Sequence, residues 1–243
     1  MHTRNVPPAP KLLIQLVFLF GVRIMKPFKL AAFAIAGLSF ALPLHAQTVD
    51  PLWTKTLAHS ALVKTWAPEE KNMRIDAVTE DKHERVKVKA RLNGWKNGKP
   101  VYDTVQIDPK PEPGKSAKGQ VEMSDASNMS DELMRMNAPV KRSDGQVLHG
   151  KSWTMFDVAE SKGPIDVSVR LWVDPVTGVA HHVESKIRGT LMFDMFLATT
   201  YAPHKQAGSL PERSDFRLKV LIPFVDAKVN IVSSMDSWTS KPN

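Results

Sequence analysis

Between positions 165 and 187 the chain alternates apolar and polar residues, and this pattern constrains its fold more than any other feature. One face of the first segment would hold Ile165, Val167, Val169, Leu171 and Val173, and one face of the return segment would hold Val179, His181, Val183, Ser185 and Ile187. Successive side chains of a strand point to opposite faces, so a period of two predicts two half-buried strands. Pro175 and Gly178 predict a turn between them, because proline presets the second turn position and glycine accepts a left-handed backbone.

The same period recurs along the chain and predicts about seven to nine antiparallel strands. Val86, Val88, Ala90 and Leu92 alternate with charged residues, and Asn97-Gly98 predicts a tight hairpin to the next strand because both residues accept positive φ angles. Further strands are predicted over 191–198, 216–222 and 229–232, with a polar loop over 203–214. The 191–198 segment is apolar on both faces, so both faces are expected to be covered.

Two helices are predicted beside these strands. Asp50 can cap a first helix and Pro51 suits its first position, and this helix is expected to run through Trp66 and end before Pro68. A short second helix begins at 130–132, whose acidic residues favour a helix start, and ends at Pro139. The fold class predicted is α+β, mainly antiparallel β: a highly curved, half-open β-barrel with an N-terminal helix and a short lid helix.

Residues 25–46 are typical of a cleaved signal peptide. They combine a basic start, an uncharged apolar run over 30–42 and a small residue, Ala46, at the cleavage position. Residues 1–24 are interpreted as an upstream over-reading before Met25, with a membrane-retained N-terminus as the alternative. We therefore predict a single domain over 47–243, secreted through the inner membrane and soluble in the periplasm.

Charge and cysteine content exclude several function classes. Residues 1–46 hold five Lys or Arg and no Asp or Glu, so their removal takes the formal net charge from +8 to +3. The remaining cations alternate with acids instead of forming a stripe, which argues against nucleic-acid binding. The absence of cysteine excludes disulfides, a thiol nucleophile and thiolate metal sites.

No pattern of residues predicts catalysis, a cofactor or a metal. His181 and His182 are neighbours on a predicted strand, so they are expected to point to opposite faces and not to share an ion. The sequence has no Gly-x-Ser-x-Gly elbow, no Ser-x-x-Lys box and no glycine-rich phosphate loop. We predict a protein that is not an enzyme and has no cofactor, and we keep acids gathered from distant strands as a less favoured enzymatic alternative.

Eleven methionines are many for this length. Methionine fills irregular apolar contacts, so these residues are either plain core or part of an apolar binding surface. The binding interpretation assigns the lid to Trp66, Met129, Leu133 and Met136, and the cavity wall to Val167, Val169, Leu171, Phe193, Met195 and Phe196.

Residues 171–178, LWVDPVTG, resemble the "W-[IVL]-D-x-x-T-G" hairpin of the periplasmic lipoprotein-sorting carriers, the lipoprotein localisation factor superfamily. The order of predicted elements over 48–238 is similar too. The resemblance implies an unclosed β-barrel whose concave side, covered by helices, binds acyl chains, and relatives that sense envelope lipoproteins. It carries over no ligand residue, because the shared motif is a turn.

The leading hypothesis is therefore a periplasmic binding protein that holds a lipid or the acyl chain of a lipoprotein in an apolar cavity. The alternative is an envelope protein-interaction or stress-sensing module of the same fold, with a filled core and its function at a sheet edge. The two hypotheses differ in whether the apolar face is open to a guest.

Overall fold

The computed structural model describes residues 50–110, 140–190, 192–222 and 227–242, which all belong to one compact unit. They form one α-helix and ten strands. The helix is α1 (Pro51–Val63), and the strands are β1 (Trp66–Thr79), β2 (His83–Lys96), β3 (Lys99–Asp108), β4 (Val140–Leu148), β5 (Lys151–Lys162), β6 (Ile165–Val173), β7 (Ala180–Gly189), β8 (Phe193–His204), β9 (Gly208–Val220) and β10 (Ala227–Ser240). The prediction of a mainly antiparallel β protein is confirmed.

All ten strands belong to one antiparallel sheet in the order β3-β2-β1-β10-β9-β8-β7-β6-β5-β4. The sheet is not closed, and β3 and β4 are its two edges. Of the nine neighbouring pairs in this order, eight join strands that are consecutive in the chain; the exception is the pair of β1 and β10, so β10 lies between β1 and β9. The last strand therefore joins a three-stranded part, β1–β3, to a six-stranded part, β4–β9.

Helix α1 begins as predicted and ends earlier. Asp50 Oδ1 accepts hydrogen bonds from the backbone N–H groups of Leu52 at 2.8 Å and Trp53 at 3.3 Å, and proline fills the first helical position. The prediction that Trp66 belongs to this helix is wrong, because the helix ends at Val63 and Trp66 begins β1. Pro68 is tolerated within β1 because β2 pairs with β1 only from Glu70 onward, so no ladder bond to β2 is lost there.

Both predicted turns are confirmed. Asn97 and Gly98 have φ angles of 52° and 75° and connect β2 to β3. In the turn after β6, Asp174 Oδ1 accepts hydrogen bonds from the backbone N–H groups of Val176 at 3.0 Å and Thr177 at 2.7 Å. These bonds hold the pKa of Asp174 below its usual value. Gly178 closes the turn with a φ of 73°.

Two other expectations need correction. The polar loop predicted over 203–214 is wrong, because β8 and β9 continue as a hairpin in which His204 pairs with Gly208. The strand count is ten because β1, β4 and β5 join the seven segments that the sequence predicts. The sequence of β4 is mostly polar, as suits an edge strand, and shows no apolar alternation. The predicted lid helix with Met129, Leu133 and Met136 lies outside the described residues.

Candidate functional site

The strand register aligns one row of residues across eight strands, and all of its members except a serine are apolar. Directly paired residues of neighbouring strands point to the same face of a sheet. The row consists, in sheet order, of Val158, Val169, Ser185, Leu197, Phe216, Ile231, Ile75 and Val86. We call the face that holds this row the helix-side face, because Val158 and Val169 pack in one cluster with α1.

The next row on the helix-side face is apolar in its middle and acidic at both ends. Its apolar members are Val167, Ile187, Met195, Leu218, Val229 and Ala77. Glu160 and Glu84 pair with the two outermost of these residues. Four of the six, Val167, Ile187, Met195 and Leu218, are only half-buried. An apolar surface that is half-open and bounded by carboxylates can receive an apolar guest without displacing polar groups.

Helix α1 covers one end of the helix-side face. It contributes Leu52 and Trp53 to a cluster of buried residues from β5, β6 and β7. At the centre of this cluster Trp53 meets the fully buried Phe156 edge-to-face, with 5.0 Å between ring centroids. This geometry is favourable for aromatic pairs.

The predicted turn at residues 174–178 packs directly against α1. A Cβ atom at Gly178 would come within 2.9 Å of Lys55 Cβ and 3.0 Å of the Thr56 backbone nitrogen, so only glycine allows the helix this close. The Lys55 ammonium donates a hydrogen bond of 2.9 Å to the carbonyl oxygen of Val176. The glycine of the turn therefore serves helix docking as well as chain reversal.

Polar contacts fix both ends of α1. The buried His59 Nδ1 accepts a hydrogen bond of 3.5 Å from the Ala180 N–H, and its Nε2 is 3.4 Å from Ser209 Oγ. Burial lowers the pKa of His59, so the imidazole is held neutral. At the other end, Arg142 of the edge strand forms an ion pair with Asp50 at 3.1 Å.

A second cluster lies at the opposite end of the sheet. Met73, Val88 and Ala90 are buried there, and partly buried Ile75, Val86 and Tyr102 pack against them. These residues come from β1, β2 and β3 and point to the helix-side face by register. The two clusters are therefore separated by the width of β8, β9 and β10.

A strip of hydroxyl groups crosses those three strands between the clusters. Ser214 pairs with Thr199 on one side and with Ser233 on the other. In the same row, Val183 pairs with Thr199 and Met73 pairs with Ser233. Thr199 Oγ1 and Ser214 Oγ are 3.0 Å apart. We call these three residues the hydroxyl strip. It is one polar part of a largely apolar face, which also carries Ser185.

The structure brings five of the predicted wall residues onto one face and leaves one out. Val167, Val169, Leu171, Phe193 and Met195 all occupy the helix-side face. Phe196 points to the other face, which we call the outer face, because it is one residue from Met195 and successive side chains alternate. There it pairs with Lys186 and Arg217, whose cations lie 5.8 and 5.6 Å from its ring centroid.

Trp66, predicted as a lid residue, lies at the start of β1. Its ring contacts His204 edge-to-face, with 4.7 Å between centroids. The other predicted lid residues, Met129, Leu133 and Met136, lie outside the described residues. The sequence did not reveal the hydroxyl strip, because Thr199, Ser214 and Ser233 meet only through the pairing of three separate strands.

The expectation that His181 and His182 point to opposite faces is wrong. The pairing of β6 and β7 is irregular between Trp172 and Val173, which breaks the alternation of side chains. His181 stacks on Trp153 at 4.1 Å, and both histidine rings lie about 6 Å from the ring of His149. Burial lowers the pKa of His181 and of His182.

Within the described segments no group of three or more His, Cys, Asp or Glu side chains is arranged to hold a metal ion. None of the helices in this part of the chain has the length and apolar character needed to cross a membrane. No protein-family model matches the chain, and no curated protein matches it.

Proposed function

We propose that this protein is a periplasmic binding protein that holds a lipid or the acyl chain of a lipoprotein against the helix-side face of its sheet. The observation that carries the proposal is the second apolar row, in which Val167, Ile187, Met195 and Leu218 lie on four neighbouring strands and are only half-buried. Export to the periplasm rests on residues 25–46, and the acyl ligand agrees with the resemblance of residues 171–178 to lipoprotein-sorting carriers.

The chemistry of the face suits an acyl chain better than a reacting substrate. Burial of apolar surface is worth roughly 25 cal/mol per Å², so a long chain gains affinity without any directed polar contact. Met195 and Leu218 are half-buried neighbours in the second row, and flexible methionine adapts to chains of different shape.

The first test is lipid analysis of the native protein. The full chain, purified from an envelope extract without detergent, is expected to carry lipid that mass spectrometry of an organic extract identifies. The delipidated protein should then bind a fluorescent fatty-acid probe. A protein that is free of lipid and ignores the probe contradicts the proposal.

Neighbouring residues of β8 provide a matched pair of variants. Met195→Asn places an amide on the helix-side face and is expected to weaken probe binding roughly tenfold, as loss of about 1.4 kcal/mol of apolar burial predicts. Phe196→Asn makes a similar change on the outer face and should leave probe affinity unchanged. Equal effects of the two variants would show that the helix-side face does not hold the probe.

A second candidate function is favoured by the open edges of the sheet. The edge strand β4 exposes Val147 at 76% and Val140 at 36%, and an unpaired edge can add a strand from another protein. This candidate is an envelope interaction or stress-sensing module. A partner recovered from envelope extract by the wild type and by Met195→Asn, and lost on Gln146→Pro in β4, would favour it over lipid carriage.

A further inference from the structure

We propose that the outer face of the sheet docks on an anionic lipid bilayer through a basic patch. The patch consists of two successive rows on β7–β10, and its members are, strand by strand, Lys186 and Arg188, Phe196 and Asp194, Arg217 and Lys219, and Asn230 and Lys228. Five cations and one carboxylate give it a formal charge of +4. It lies on the side of the sheet opposite the proposed acyl site, so the inference goes beyond acyl binding and does not depend on it.

Strand pairing brings these cations together, although they are dispersed along the chain. Lys186 and Arg217 both pair with Phe196, and Lys219 pairs with Lys228 on its other side. Because neighbouring strands lie about 4.8 Å apart, four strands spread the charges over roughly 14 Å. Along the chain the cations alternate with acids, so only the register reveals the patch.

The exposure of the cations indicates what kind of anion fits them. All five are exposed, and the Arg188 side chain is 72% exposed although it forms an ion pair of 3.1 Å with Asp194. Side chains so open to water do not enclose a small ligand. They suit an extended anionic surface, to which each cation contributes its own attraction.

The Phe196 ring adds an apolar contact in the middle of the patch. It is only half-buried, and the cations of Lys186 and Arg217 lie within cation–π distance of it. Membrane-surface helices use the same combination, in which apolar rings enter the boundary of the acyl region and Lys or Arg meet the headgroups. The patch therefore offers both kinds of contact that a bilayer surface provides.

Four acids border the patch, and each contacts a partner outside it. Asp166 accepts a hydrogen bond of 2.7 Å from Ser161, Asp76 forms an ion pair of 3.1 Å with Arg85, Asp215 forms one of 3.0 Å with Arg213, and Glu184 lies 3.7 Å from His182. Their carboxylates are thus engaged away from the patch, and its charge is available to an external anion.

A bilayer fits these observations better than an acidic protein. A protein would need carboxylates at fixed positions opposite cations that come from four different strands. Lipid headgroups move laterally, so they can meet each cation without such a match. The attraction to a bilayer is electrostatic, so it should weaken as salt is added.

The test is flotation of the full chain, purified from an envelope extract, with vesicles. Vesicles of phosphatidylcholine alone are compared with an equimolar mixture of phosphatidylcholine and phosphatidylglycerol, at rising concentrations of sodium chloride. We expect tighter binding to the mixed vesicles and a loss of this difference at high salt. Wild-type protein that binds both kinds of vesicle equally would overturn the inference.

Two double variants assign the binding to the patch. Lys219→Gln with Lys228→Gln is expected to weaken binding to mixed vesicles about thirtyfold, as the loss of two cations at an anionic surface predicts. Arg74→Gln with Lys87→Gln is the matched control, because it removes two exposed and directly paired cations from the same face outside the patch. At physiological salt it should weaken binding by no more than about threefold.

The control also accounts for the N-terminal segment, which has five cations of its own. Residues 1–46 are identical in both double variants and cannot cause a difference between them, so equal losses would overturn the inference. Circular dichroism melts confirm folding. If the patch variant does not melt cooperatively, Lys219→Gln alone serves, with an expected loss of about fivefold.

Two further results separate this inference from its alternatives. Protein that binds soluble poly-L-glutamate but not mixed vesicles would point to an acidic protein as the partner and overturn the inference. Protein that binds mixed vesicles through the patch but ignores the fatty-acid probe would lose the proposed function and keep this inference. Binding of the probe without binding to mixed vesicles would have the opposite meaning.

Discussion

The two ends of the sheet have similar strands and different degrees of burial. Under α1, nine residues form a buried cluster that includes two from the helix itself. At the β1–β3 end, a cluster with the same alternating pattern buries three. Alternation fixes which way a side chain points at both ends, while the number of buried residues that cluster together differs. Perturbations at the two ends should therefore differ in size.

The largest difference is expected from large-to-small substitutions in the two clusters. Phe156→Ala removes a fully buried ring from beneath α1 and should lower the free energy of unfolding by about 4 kcal/mol, whereas Met73→Ala at the other end should cost about 2 kcal/mol. Urea unfolding followed by tryptophan fluorescence measures both. Equal losses would mean that the β1–β3 end is covered as well as the other.

Two glycines with positive φ provide the next test. Gly178→Ala should cost about 3 kcal/mol, because its new Cβ strains the backbone and also meets α1, while Gly163→Ala should cost about 1 kcal/mol, because nothing lies within 4 Å of its Cβ. Thermal unfolding of both variants gives the comparison. Similar losses would show that the turn does not support the helix.

A smaller effect is expected from removing the cap of α1. Asp50→Ala leaves the N–H groups of Leu52 and Trp53 without their acceptor and Arg142 without one ion-pair partner, so we expect a loss of about 1 kcal/mol. Asp194→Ala is the control, because it breaks only an exposed pair with Arg188 and should change stability by less than about 0.5 kcal/mol. Chemical denaturation of the two variants measures both losses in the free energy of unfolding. Equal losses would contradict a capping role for Asp50.

The smallest effect is a loss of stability on acidification at the end under α1. Burial lowers the pKa of His59 below its ordinary 6.5. Below pH 6.5, therefore, the His59 imidazole binds a proton in the unfolded chain more readily than in the folded chain. The contribution of the neutral His59 to the free energy of unfolding should be fully present above pH 6.5, and it should fall as the pH drops from there toward the lowered pKa. His59→Gln should weaken this dependence between pH 7.5 and 5.5. A wild-type protein that becomes more stable over that range would contradict the assignment.

The parts of the fold that sequence predicted are those with local causes. The Asn97-Gly98 hairpin, the turn at residues 174–178 and the Asp50 cap each depend on residues close together in the chain. The alternation of apolar and polar residues alone also predicts that Val167, Val169 and Leu171 point to the same face of the sheet. These features need no knowledge of what lies opposite.

The parts that sequence did not predict depend on pairing between distant segments. The β4 edge strand is polar because little covers it, so its sequence resembles a loop. His181 and His182 share the outer face only because the pairing with β6 is irregular. The prediction that Phe196 belongs to the same wall as Phe193 and Met195 is wrong, because its position in the alternation places it on the other face. The hydroxyl strip likewise has no local signature.

The position of β10 has a consequence for how the protein reaches its native state. This strand pairs with β1 along almost its whole length and with β9 on its other side, so the three-stranded and six-stranded parts have no shared ladder until it arrives. Pairing between segments so distant in sequence is intrinsically slow. Until this final strand joins them, the earlier strands would expose apolar faces and unpaired edges to chaperones or to aggregation.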